Sequence, residues 1–200
     1  MLNTIKGFLL GKNESFNFIF DSDNILNLCI AVIFISCLGG AIHPFLVESN
    51  KLSFELVEFL TKFIGLVTQN LFIISGIYFI GVSFFANKIR IGITDDNKII
   101  EENNYNILNI RRMFQLLSLS QLPVIIGMVS VIPGINSISS LVSWIVGICT
   151  IWFYVLVTKA VYIGFGYNFD SNSSLQIKYI KSFLIVLFTY IPGTIIFQLF

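Results

Sequence analysis

Few residues in this 200-residue chain are of types that carry out chemistry, and their spacing argues against a reaction. His43 is the only histidine; it stands beside Pro44 at the end of an apolar run, with no second ligand type at metal-binding spacing. Cys29, Cys37 and Cys149 each fall inside apolar runs, spaced neither as a zinc site nor as a disulfide framework. Ser75, in Ile73-Ile74-Ser75-Gly76, lacks the first glycine of a G-x-S-G turn. No H-E-x-x-H and no P-loop occurs. Gly164-Phe165-Gly166 reads as a helix terminus rather than a nucleotide loop. The adjacent Glu101 and Glu102 lack the arginine and the paired histidines that a membrane metalloprotease needs, since Asn106 holds the arginine's place. Catalytic residues, a metal and a cofactor are therefore not expected.

The remaining polar groups of interest lie at depth in apolar sequence. Thr68, Gln69 and Asn70 form a patch about a third of the way along one apolar run. In hydrocarbon such groups turn to a neighbouring helix and hydrogen-bond to it; a solute site is the alternative. Pro123 interrupts another run, where a kink or break is expected because proline has no N–H to donate to the Leu119 carbonyl. Ser118 and Ser120 are close enough to satisfy the freed carbonyl.

The elements that position these groups follow from composition. The chain is 56% hydrophobic and 12% charged, with a mean hydropathy of +0.86; an ordinary soluble domain is about 45–50% apolar and about 25% charged. A core of this size cannot absorb so much apolar surface, so the bilayer is the other solvent. A net charge of +1 gives no electrostatic case for nucleic acid. Residues 25–45, 63–86, 114–132, 139–164 and 179–200 read as five spans, each near the ~20 residues that a bilayer requires. The fold class is an all-α, five-helix integral membrane protein whose third helix is kinked or broken at Pro123. Residues 1–24 form a short cytoplasmic or interfacial tail, in which Leu2, Ile5, Phe8 and Leu9 share one helical face. Residues 25–200 form the membrane domain. No cleavable signal peptide is evident.

Small residues mark where helices can approach closely: Ser36 with Gly40, and Ser139, Ser143 and Gly147 along one stripe. Gly147 is expected to touch another helix. Lys6, Lys12, Lys88, Arg90, Lys98, Arg111, Arg112, Lys159, Lys178 and Lys181 fall on one side of the five-span arrangement, against Lys51 and Lys62 on the other. The positive-inside rule then places the N-terminus in the cytoplasm and the C-terminus across the membrane. Arg111 and Arg112, just cytoplasmic of a span, are candidates for a contact surface with partners or anionic lipid.

From Gly7 onward the chain resembles the Yip-domain family of five-span membrane proteins, named for partners of Rab-type GTPases. The residues that carry the likeness are Arg112-Met113-Phe114-Gln115 followed by Leu119-Ser120-Gln121-Leu122-Pro123, the Pro-Gly turn at Ile132-Pro133-Gly134, and Trp152 in the fourth span. Phe8-Leu9-Leu10 with Phe16 resembles the segment before the family's first span. The tail is much shorter than in eukaryotic members, and residues 167–174 lack the small-residue helix start seen there. The chain is thus similar to a compact, prokaryote-type member, and GTPase binding does not carry over. The resemblance implies a non-enzymatic role in membrane organisation or trafficking, or as a scaffold, with the lipid bilayer and other membrane proteins or a second copy as partners, in the cell membrane of a prokaryote. The alternative is a carrier of small molecules or ions, or a subunit of one, built on Thr68, Gln69, Asn70 and the Pro123 break. A water-filled cavity joining Asn70 to Pro123 favours the carrier; a packed interior favours the contact role.

Overall fold

The computed structural model describes residues 1–47, 56–85, 110–131, 139–165 and 174–198, all of which belong to helices or to the turns between them. Pro133, Gly134 and the acidic residues of the long loop lie outside the described residues. Two short helices, α1 (Leu2–Leu9) and α2 (Asn13–Asp21), form an N-terminal hairpin. Its turn needs Gly11, whose φ of 70° an L side chain rarely adopts. A 3₁₀ turn at Asp23–Ile25 leads into α3 (Leu26–Val47), which contains no acidic or basic side chain except the titratable His43. Then follow α4 (Leu56–Phe85), α5 (Ile110–Leu119), α6 (Leu122–Gly127) with a 3₁₀ turn at Met128–Val131, α7 (Ser139–Phe165) and α8 (Leu175–Gln198).

Three stretches, Leu56–Ser83, Ser140–Phe165 and Leu175–Ile196, are long and apolar enough to cross a membrane. Counting α2 with Leu26–Ile42, which meet at 110°, as one broken span would make four. These apolar helices point to membrane insertion. α4 packs against α3 and α8, and α7 against α8, α6 and α5. The short α5 lies in the middle, in contact with α2, α3, α4 and α7.

The N-terminal hairpin is part of the core rather than a tail beside it. Phe8 and Phe16 are fully buried and stack with their centroids 4.1 Å apart. Ile19 and Phe20 join the same cluster as Cys29, Met113, Leu116 and Val157. The face read from Leu2, Ile5, Phe8 and Leu9 is partial: Phe8 is buried, whereas Leu2 is exposed. At Gly7 a Cβ would lie 2.1 Å from the Ser15 Oγ, so α1 and α2 approach as closely as glycine permits.

Candidate functional site

The polar residues at depth form a seam where α5 ends and α6 begins. The Ser120 N–H donates to the Leu116 carbonyl at 3.1 Å, and the Gln121 N–H to the Ser118 carbonyl at 3.0 Å, which closes α5 on a tighter turn. The Val124 N–H then donates to the Gln121 carbonyl at 2.9 Å and opens α6. Pro123 sits in the first turn of α6, where its missing N–H has no helical partner to lose. The Ser118 and Ser120 hydroxyls do not turn to the Leu119 carbonyl. They donate to the carbonyls four residues back, Phe114 and Leu116.

At the break, the Gln121 Nε2 donates to the Asn70 Oδ1 on α4 at 2.8 Å. The Asn70 Nδ2 donates to the Leu66 carbonyl at 3.0 Å and to the Cys37 Sγ on α3 at 3.4 Å. Earlier, on α5, the Gln115 Nε2 donates to the Ser22 carbonyl at 3.1 Å, while the Gln115 carbonyl accepts from the Cys29 Sγ at 3.5 Å. Two glutamines thus tie α5 to three neighbours. Among the described residues, no buried side-chain nitrogen or oxygen lacks a hydrogen-bond partner.

The patch expected at Thr68, Gln69 and Asn70 is therefore divided. Asn70 turns inward to the seam. Thr68 is exposed, its hydroxyl donating to the Ile64 carbonyl of its own helix. Gln69 lines an outward-opening cavity of 560 Å³ with Gly40, Thr61 and Lys62. Asn70 is hydrogen-bonded to Gln121, and Pro123 is buried.

The small-residue sites differ among themselves. Ser36 is buried, and a Cβ on Gly40 would stand 3.0 Å from Leu66, so α4 comes close at this point. Gly147 faces the other way. A Cβ there would meet nothing within 4 Å, and Ser143 is exposed one turn earlier. Among the described residues, no other helix reaches Gly147; the buried side of α7 is the one carrying Phe153, Leu156, Val157 and Ala160. Ser139 begins α7. Closer approaches than that at Gly40 occur at glycines that the small-xxx-small pattern does not single out. A Cβ on Gly81 would lie 2.0 Å from Phe165, and one on Gly39 would lie 2.0 Å from Met128.

Trp152 and Lys159 of α7 fasten the N-terminal hairpin. The Trp152 Nε1 donates to the Leu9 carbonyl at 2.9 Å. The Lys159 Nζ donates to the Gly11 carbonyl and lies 5.6 Å from the Phe16 ring centroid. On α5, the Arg112 guanidinium is 5.2 Å from the Phe20 centroid, so it too is engaged by the hairpin, while Arg111 is exposed. In the sequence Trp152 stands out only through the family resemblance, and nothing local says that its partner is a carbonyl 143 residues away.

Beside these anchors, α7 and α8 enclose a groove of 860 Å³. Leu10 and Gly11 form its lip, and Ile151, Tyr154, Val155, Thr158 and Lys159 face Tyr179, Phe183, Val186 and Tyr190 across it. Tyr154 and Tyr190 meet edge to face, 5.7 Å between centroids. No group of three or more histidine, cysteine or acidic residues that could hold a metal ion occurs among the described residues.

No family model matches the chain, and neither a curated protein nor a solved structure does.

Proposed function

We propose that this protein acts by contact inside a membrane, as a non-enzymatic multi-pass scaffold of the Yip type that organises lipids or other membrane proteins. In this reading it crosses the bilayer five times. α3, α4, α7 and α8 supply four spans, and α5 with α6 supplies the third in chain order, broken at Pro123. The basic residues orient the N-terminus to the cytoplasm, and in a prokaryote the host is the cell membrane. The Yip assignment is supported by the residues from Arg112 to Pro123 and by Trp152.

The observation that carries the contact reading is the division of polar and open surface. Asn70, Gln115 and Gln121 are hydrogen-bonded where α5 and its end meet their neighbours, whereas among the described residues nothing lies within 4 Å of a Cβ at Gly147 on α7. A carrier keeps polar groups free at the midplane for its solute; here Asn70 and Gln121 are bonded to each other. A helix face with small residues and open space is suited to a close helix partner, either a second copy or another membrane protein.

Cysteine at Ser143 or Gly147, crosslinked in native membranes, is expected to give a discrete larger species that is lost in Gly147→Trp. Cysteines at Asp95 and Asn172 labelled from one side, and at Asn136 from the other, test the five spans. Absence of any crosslinked species, together with solute flux in vesicles that depends on Asn70, would replace the contact reading with the carrier.

A further inference from the structure

The α7–α8 groove has a shape and a charge that a lipid-facing surface does not need. Its volume of 860 Å³ falls among the ~300–1,000 Å³ of ligand pockets. Along α7 it runs from Ile151 to Lys159, eight residues or about 12 Å at ~1.5 Å per residue. Along α8 it runs from Tyr179 to Ile191, twelve residues or about 18 Å on the same rise. Both lengths bracket half of the ~30 Å hydrocarbon thickness, the depth of one leaflet.

The lining is polarised along that length. The charged residue in the lining, Lys159, stands at the end near the termination of α7 and the start of α8, next to Thr158 and Tyr179. Beyond it the walls are Ile151, Val155, Phe183, Val186 and Leu187, with the Tyr154–Tyr190 pair between. Lys159 is half-buried and gives one hydrogen bond to the Gly11 carbonyl, so an ammonium with three N–H groups keeps donors for a second acceptor. The N-terminal hairpin holds it at the mouth, since Gly11 and Phe16 fix its position from one side.

We propose that this groove is a binding site for an anionic phospholipid, one acyl chain lying along Val155 and Val186 and the headgroup phosphate meeting Lys159 at the Gly11 lip. The proposal rests on the membrane reading and names a lipid partner for it. It does not depend on a helix partner at Ser143 and Gly147. Charge complementarity selects the occupant: a neutral apolar segment would leave the Lys159 ammonium facing hydrocarbon, whereas an anionic headgroup at leaflet-surface depth pairs with it.

The test uses the full chain purified in mild detergent with equal amounts of phosphatidylglycerol and phosphatidylcholine of matched acyl chains, the retained lipid being counted by native mass spectrometry. Phosphatidylglycerol is expected to be retained about fivefold over phosphatidylcholine, the equivalent of ~1 kcal/mol for one basic residue beside an anionic lipid. Lys159→Arg keeps that preference. Lys159→Gln loses it while retaining lipid of both kinds. Val155→Trp fills the groove, and is expected to lower retention of both lipids with circular dichroism unchanged. Equal retention of the two lipids by the parent, or full phosphatidylglycerol retention in Val155→Trp, overturns the proposal. Displacement of the lipid by millimolar inorganic phosphate would reassign the cation to a free anion and overturn it too. A crosslink at Gly147 that persists while lipid selectivity fails would leave the contact reading standing and remove only this site.

Discussion

Helices α5 and α7 invert the order familiar from water-soluble proteins. α5 is ten residues long, begins with two arginines at its second and third positions, and is buried from Gln115 to Leu119, two polar side chains included. α7 is 27 residues of largely apolar sequence, yet Trp144 is 72% exposed and Ile151 68%. In water the apolar helix would be inside. In lipid the acyl chains are as apolar as leucine, so apolar faces gain little from turning inward. Polar groups gain much, because an unpaired amide in hydrocarbon costs several kcal/mol. The interior therefore goes to the helix that carries glutamine and serine.

The sharpest way to break this comparison is a matched pair of truncations. Met113→Ala removes a fully buried side chain of α5 and is expected to cost about 2–5 kcal/mol. Ile148→Ala, at a side chain 58% exposed on the outer face of α7, is expected to stay within about 0.5 kcal/mol. Equal losses in detergent melting curves would show that α7 is covered in the folded state. A second pair contrasts the two ends of α7. Gly81→Ala drives a methyl group into the buried Phe165 ring and is expected to destabilise by about 1–3 kcal/mol. Gly147→Ala enters open space and should leave the monomer unchanged, so a loss of crosslinking without a loss of stability would mark it as a partner contact.

Smaller effects sharpen the picture of what α5 and α7 hold. Trp152→Phe keeps the ring but removes the bond to the Leu9 carbonyl, an expected cost of about 0.5–1.5 kcal/mol. Faster limited proteolysis near Gly11 would register the release of the hairpin; unchanged cleavage would show that Phe8 and Phe16 dock it alone. Smallest is the coupling between Asn70 and Gln121. A double-mutant cycle with Asn70→Leu and Gln121→Leu is expected to give about 0.6 kcal/mol, the average for interhelical polar pairs in a membrane. Zero coupling would remove the seam from the account of α5.

Much of the helix content was legible because it depends on local composition. A run such as residues 139–164 has one way to satisfy its backbone in lipid, which is to be helical, and α7 occupies Ser139–Phe165. The glycines that matter were not legible in the same way. Ser139, Ser143 and Gly147 present a regular stripe, but a stripe shows only that a helix can be approached, not from which side. Gly81 and Gly39 stand outside any such pattern, yet a Cβ at either would lie 2.0 Å from a neighbouring side chain.

Sequence by itself determined that this chain is helical and apolar enough for a membrane, since hydropathy and length are sums over neighbouring residues. It also marked Pro123 as a residue with no N–H to donate, whereas the structure puts the turn at Ser120 and Gln121 and Pro123 inside the first turn of α6. Tertiary structure alone decided that Gln121 meets Asn70 across 51 residues, that Gln115 reaches Ser22 across 93, and that the first two helices join the core through Trp152 and Lys159. Those pairings depend on which helix faces which, and no local pattern encodes a choice that is made by packing all the helices at once.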